Sequence, residues 1–302
     1  MPHPILRIKF TDEVYGAGLH GPLRMALERH FSIEESEDPE LVFYGEGKGR
    51  HYRRHPSATR IYVAVENRYP DFTECDYAMT FLFLDDPRHL RVPMYVFDSD
   101  LPALLQKHET AEDVISEQRD FCAFVVSNGS KRADRRLQFF RKLNAARPVH
   151  SGGRTLNNVG GPVADKQAFL RKHRFNLCFE NHFWPGYTSE KLAHALAAGC
   201  IPVYWGNSAV AADFNPESFI DVSDYDSDEA ALEHILKVAD SREMQLKYLR
   251  APSFSGNQKG QSYDLDRIAA FLKRAVEAPK RKRPLFSPMA ALFRIRRQFR
   301  LY

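Results

Sequence analysis

Glu190 and Lys191 stand where a polar loop enters a helix, inside the run Phe175 to Gly206, FNLCFENHFWPGYTSEKLAHALAAGCIPVYWG. A lysine amine beside the free backbone N–H groups of a helix start suits a phosphate or diphosphate. Glu190 can accept hydrogen bonds from ligand hydroxyls. The competing reading is an ordinary surface helix start, where a glutamate suits the dipole and a lysine does not. Glu66 directly follows the apolar run IYVAV, which puts it at the carboxyl end of a predicted strand. A carboxylate there can take a proton from a hydroxyl, or simply cap a loop. Tyr187 follows Gly186, so ring and backbone can approach a ligand closely or the ring can pack in the core. Glu180-Asn181 end a buried strand in a polar pair that either meets a ligand or ties a side chain to the loop backbone.

Further polar groups converge on predicted strand ends. They are Ser127-Asn128 with the arginines after them, and the Gly/Asn-rich segment VHSGGRTLNNVGG (149–161), which has no helical or strand period and reads as a loop. No paired-aspartate metal motif follows a strand in this half. Asp224 and Asp226 form a DYD in a loop before a helix, where Asp is expected as a cap. A diphosphate held without metal needs cationic side chains and backbone N–H groups, and Lys191, Arg132, Arg135 and Arg154 are available. Cys75, Cys122, Cys178 and Cys200 show no metal spacing and read as reduced core thiols. His51 and His55, in the basic stretch RHYRRH, read as solvated. Asp85-Asp86, before Pro87, read as a turn signal.

The elements that must position these groups alternate. Residues 5–10, 41–44, 61–65, 77–84 and 94–97 read as strands, with a helix near 20–30. The acidic run Glu34, Glu35, Glu37, Asp38 reads as a solvated loop. A linker and helix at about 99–119 separate this half from a second. That half has a strand at 121–127, a helix at 131–144, helical residues 166–173 and the strand 175–179. Its next helix has Thr188 or Ser189 as N-cap, Leu192, Ala195, Leu196 and Gly199 on one stripe, and Gly199 as a left-handed stop. CIPVYW then returns as a parallel strand. Helices near 227–239, 242–250 and 264–277 complete the half.

A chain of 302 residues fits two domains. The predicted arrangement is α/β, two Rossmann-like domains facing a cleft: an N-terminal domain at 1–118, a C-terminal domain at 119–278 and a basic amphipathic tail at 279–302. Two such halves are what a GT-B nucleotide-sugar transferase needs, one for acceptor and one for donor. Net charge is +4, yet residues 280–302 hold eight Lys or Arg and no acid, so the rest of the chain stands at −4. That balance argues against a nucleic-acid-binding core. The tail suits an anionic membrane surface. No apolar run reaches the roughly 20 residues of a bilayer span, and the first residues lack a secretory h-region. The expectation is therefore a cytoplasmic protein, peripheral on an inner membrane through its tail.

FNLCFEN, GYTSEKL and IPVYWG resemble the signature block of the α-1,3/4-fucosyltransferases of glycosyltransferase family 10, FxxxFEN, GYxTEK and IPxYWG. FVVSN (124–128), Arg135, the GG…NN loop and DFNPESFI (213–220) resemble the family's donor half. VEN (65–67), DYA (76–78) and RHLRVPMY (88–95) resemble its acceptor half. The resemblance covers roughly residues 5–275 and implies a GT-B fold. The implied reaction moves L-fucose from GDP-β-L-fucose, with inversion, to a sugar hydroxyl, usually O3 of N-acetylglucosamine in a glycan. It implies Glu66 as general base, and donor contacts from Asn128, Arg135, Arg154, Asn157, Asn181, Tyr187, Ser189, Glu190 and Lys191. No cofactor or metal is implied beyond the donor. Leu156 stands before Asn157 where some bacterial members carry a diphosphate-binding Arg, and Ser189 replaces the usual Thr. The alternatives are a GT-B transferase with another nucleotide sugar or acceptor, and a non-catalytic glycan-binding relative.

Overall fold

Runs such as Leu41–Tyr44 and Thr59–Ala64 are buried at every position, which forces a parallel sheet covered on both faces. The computed structural model describes residues 2–12, 14, 19–47, 49–66, 68–97, 110–127, 129, 134–254 and 265–280. The chain divides into two units, Met1–Ser99 with Gln261–Tyr302, and Asp100–Gly260. Both are α/β and built on parallel sheets, in keeping with the GT-B expectation.

The first unit holds β1 (Ile5–Thr11), β2 (Ser32–Glu35), β3 (Leu41–Tyr44), β4 (Thr59–Ala64), β5 (Tyr77–Thr80) and β6 (His89–Arg91), with α1 at His20–Glu28. They order as β2-β1-β3-β4-β5-β6, all parallel among the described residues. Ile8, Leu23, Phe43, Ile61 and Met79 form its fully buried centre. Each such side chain contributes about 1.5–3 kcal/mol by leaving water.

The second unit holds β7 (Asp120–Phe124), β8 (Val149–Ser151), β9 (His173–Phe179), β10 (Ile201–Trp205) and β11 (Ile220–Asp221). Its helices are α2 (Ala111–Ser116), α3 (Arg135–Ala146), α4 (Lys166–Leu170), α5 (Glu190–Ala197), α6 (Asp228–Asp240) and α7 (Arg242–Arg250). The order is β8-β7-β9-β10-β11, again all parallel among the described residues. Phe124, Phe139, Phe140, Phe175, Phe179 and Val203 fill the core between sheet and helices.

Several expectations change. The acidic run is not a loop at its start: Ser32–Glu35 is the edge strand β2, and Glu35 meets Arg24 while Glu37 and Asp38 pair with Lys9 and Arg7. Residues 94–97 form a 3-10 turn instead of a strand. Val149–Ser151, read as loop, is strand β8. The helix α8 (Leu265–Glu277), expected to finish the second half, packs against α1 in the first unit. Its apolar stripe Ile268, Phe271, Leu272 and Ala275 is buried there. All four cysteines are buried and unpaired, as expected. Residues 281–302, and with them most of the tail and its expected membrane role, lie outside the described residues. No helix among the described residues is long and apolar enough to cross a membrane.

Candidate active site

In the order β8-β7-β9-β10-β11 the chain changes direction between β7 and β9, and the crevice at the carboxyl ends of such a pair is where open parallel sheets bind ligands. β9 delivers Glu180 to that point. Its carboxylate is wholly buried and accepts the Ser189 backbone N–H at 2.7 Å, the Ser189 hydroxyl at 2.7 Å and the Lys191 ammonium at 3.1 Å. Lys191 Nζ also donates to Ser189 Oγ at 2.8 Å. A buried carboxylate is costly unless paired and hydrogen-bonded, and these three donors do both. Of the two readings open for Glu180, the geometry gives the tie between side chain and loop backbone. Ser189 is the N-cap of α5, yet its hydroxyl does not cap because Glu180 holds it.

The same cluster fixes the charges on α5. Burial alone would push the Lys191 amine down, but Glu180 and then Glu190 outweigh it and hold the ammonium charged, above the usual lysine value. Burial likewise pushes Glu190 up. Lys191, Lys166 and the first amide of the helix pull harder, and its pKa falls to about 2. Lys166 Nζ lies 3.4 Å from Glu190 Oε1 and 3.0 Å from His194 Nδ1. The carboxyl end of β9 thus offers a fixed positive charge beside a fixed carboxylate, a pairing that can hold a diphosphate and a polyol together.

The residues nominated from sequence fall unevenly around this centre. Asn181 is exposed and accepts from the Arg136 guanidinium. Tyr187 is buried, its ring edge-on to His182. Arg135 is held by Asp228 and lies over the Phe139, Phe179 and Trp205 rings at 5.4–5.8 Å, so an anion would have to compete for it. Arg154 is exposed and makes no ion pair with the described residues. Asn128 lies outside the described residues, as does Arg132.

The Gly/Asn loop is braced from within. Asn157 donates to Gly153 O at 2.8 Å and accepts Gly161 N–H at 2.8 Å, while Asn158 bonds Ser151 N and Val149 O. Gly153 passes so close to β7's extension that a Cβ would sit 2.1 Å from Val126 O. Leu156 takes φ +52, a left-handed conformation.

Sequence reasoning missed three residues. Arg136 is buried, chelates Asp134 and reaches Asn181, and its charge acts on Lys191. The signal was present: Arg136, Phe140 and Leu143 share one helical stripe at i, i+4, i+7, and a cation on a core-facing stripe demands a partner. Asn207 and Asp213 secure the loop before α5. Asn207 donates to Thr188 Oγ1 at 2.8 Å and its carbonyl oxygen accepts the Gly186 amide, and the Thr188 hydroxyl donates to Asp213 at 3.1 Å. Asp213 opens DFNPESFI, which explains that segment's presence in the pattern.

In the first unit Glu66 follows β4 as expected and is partly buried. Its carbonyl accepts the Arg68 N–H at 2.7 Å, closing a tight turn. Glu46, after β3, forms an ion pair with Arg68. Burial raises the Glu46 pKa against that pull, and the nearby Glu66 charge adds to the rise. Asp86 is spent within its turn, accepting Arg88 N at 2.8 Å. His51 is exposed, as expected, and its ring also meets the buried Asp12 carboxylate at 2.8 Å, where Asp12 gathers the His51 and Tyr52 amides.

Two family models match the chain. The model of the C-terminal part of glycosyltransferase family 10 (fucosyltransferase) matches residues 115–260, and that of the N-terminal domain of alpha-(1,3)-fucosyltransferase FucT matches residues 8–98. The chain is 33% identical over 250 residues to alpha-(1,3)-fucosyltransferase FucT of Helicobacter pylori, covering 70% of this chain and 52% of that protein. It therefore spans about half the length of that relative. Among solved structures, an alpha1,3-fucosyltransferase crystal structure is similar at a TM-score of 0.80 and 28% identity over 94% of both chains. A structure titled as the same kind of enzyme with GDP-fucose gives 0.78 and 27%, again over 94% of both chains. With both halves of the chain matched by its models, the protein belongs to glycosyltransferase family 10, the fucosyltransferases.

Proposed function

We propose that the protein is an inverting fucosyltransferase that moves L-fucose from GDP-β-L-fucose to a sugar hydroxyl, O3 of N-acetylglucosamine in a glycan. The observation that carries this reading is the charged Lys191 amine fixed by Glu180 and Ser189 at the amino end of α5, with Glu190 beside it. The named relatives, an α-1,3-fucosyltransferase and its complex with GDP-fucose, support the donor and the position.

In this reading charge builds on the diphosphate as the bond to the anomeric carbon breaks. Lys191 and the α5 amides stabilise that charge where it develops. Arg135 and Arg136 are both engaged by carboxylates, Asp228 and Asp134, with Arg136 also positioning Asn181, so the exposed Arg154 is the arginine in this reading that a diphosphate can recruit beside Lys191. Arg154 and the braced loop around Asn157 lie at the same end of the sheet, and Tyr187 and Ser189 hold the loop. Glu190 accepts from fucose hydroxyls. Glu66 takes the acceptor proton as its oxygen attacks. These groups supply the charge neutralisation, so no metal at the diphosphate is required.

Glu66→Gln separates the base from the donor site. Turnover of GDP-fucose is expected to fall by at least about a hundredfold, while calorimetry still records GDP-fucose binding. Near-normal turnover in that variant would remove Glu66 from the mechanism.

A further inference from the structure

The opposite end of the second sheet carries a cluster that the transfer reaction does not use. Asp120 opens β7, His173 opens β9 directly beside it, and His150 lies in the edge strand β8. His173 and Glu180 are seven residues apart along β9, about 23 Å in an extended strand. His150 Nδ1 stands 3.0 Å from His173 Nε2 and 3.5 Å from Asp120 Oδ2. One ligand atom from each of the three residues lies within 4.8 Å of the others.

We propose that Asp120, His150 and His173 form a Zn2+ site that fastens the edge strand β8 to the amino ends of β7 and β9. Four ligands around zinc at 2.0–2.1 Å are about 3.3 Å apart, close to the spacings found here. The second shell is in place. His173 Nδ1 donates to Phe169 O at 2.8 Å, which fixes the tautomer and aims the Nε2 lone pair at the cluster. His173 is buried between the Phe169 and His150 rings, so its orientation is set by packing. Asp120 and His150 are partly open to solvent, which gives a path for the ion and room for a water as fourth ligand. Without metal, the proton between the rings is that of the His150 Nδ1–H donating to His173. On binding, that proton leaves Nδ1 and Nε2 of His150 takes one from solvent, so His150 stays neutral and both facing nitrogens become donors to the ion. Two imidazoles and one carboxylate are a donor set that zinc accepts.

The test uses the full chain, free of any purification tag and stripped with chelator. Zn2+ is titrated calorimetrically, and Co2+ is used as a spectroscopic probe of tetrahedral geometry. One equivalent is expected to bind and to raise the melting temperature. His150→Ala, at a partly exposed position, is expected to weaken binding by about 100-fold and to abolish the thermal shift. Asp120→Asn is expected to weaken it by about tenfold. No saturable binding in the parent, or equal affinity in His150→Ala, overturns the proposal. Neither readout depends on transferase activity, so the result is separate from that of the proposed function.

Discussion

The Lys191 ammonium is mostly shielded from water against a buried carboxylate, and its charge leans chiefly on that partner. Removing one member of such a pair is expensive because the other charge is left unpaired. Glu180→Gln is expected to cost about 3 kcal/mol of stability, read from urea unfolding. It should also weaken GDP binding, since Lys191 loses its anchor and the larger of the two carboxylate charges that hold it protonated. Lys191→Ala removes the cation itself and should weaken GDP affinity by roughly 10- to 100-fold, the value of a charged hydrogen bond. An unchanged affinity there would reject the diphosphate role. At this scale the sequence showed Glu190, Lys191 and Glu66 plainly, because charged residues at strand and helix ends stand out. It could not separate Arg135 from Arg136, since adjacent residues on a helix differ only in which way they face.

The loop between β9 and α5 is held by polar side chains from the end of β10 and beyond, a contact between segments that only the β9-α5-β10 crossover brings together. Gly206 shows how tight this is: a Cβ would lie 2.5 Å from Glu180 Cβ and Cγ. Gly206→Ala is expected to destabilise by roughly 1–3 kcal/mol, with a lower urea midpoint at unchanged slope. It should also reduce GDP affinity, because Glu180 must shift. Wild-type stability in that variant would mean the approach is looser than described. The α5 helix ends as its glycine signals, with Gly199 at φ +68 and its N–H bonded to Leu196 O, and with the Cys200 N–H bonded to Ala195 O at 3.0 Å. Apolar strands such as β3 and β10, and the apolar part of β4 at 61–64, were legible for the same local reason. β2 was not, since an edge strand with charged side chains carries no apolar alternation. β8 was hidden because three residues are too few to show a period.

Each unit is a separate parallel sheet, and the assignment of α8 to the first unit shows what a one-dimensional reading loses. Its amphipathic stripe was visible, but nothing local says which core receives it. The acid limb of stability belongs to this scale too. Burial holds His89 down to about 4, with its ring bonded to Thr80 Oγ1 at 2.9 Å. Its folded pKa lies below its unfolded value, so the unfolded chain binds the extra proton. Stability contributed by the neutral ring is present above about pH 6.5 and is lost as pH falls toward 4, by roughly 3 kcal/mol. Glu190 extends the loss further down, from the ordinary glutamate range toward its value of about 2. His89→Gln should flatten the upper part of this limb in a pH series of urea midpoints, and an unchanged slope would contradict the assignment. The central claim is the transfer itself. Incubating the protein with GDP-β-L-fucose and an N-acetyllactosamine acceptor, and reading the product by NMR, is expected to give an α-linked fucose at O3 of N-acetylglucosamine with release of GDP. Release of no GDP, or transfer only from another nucleotide sugar, would contradict it.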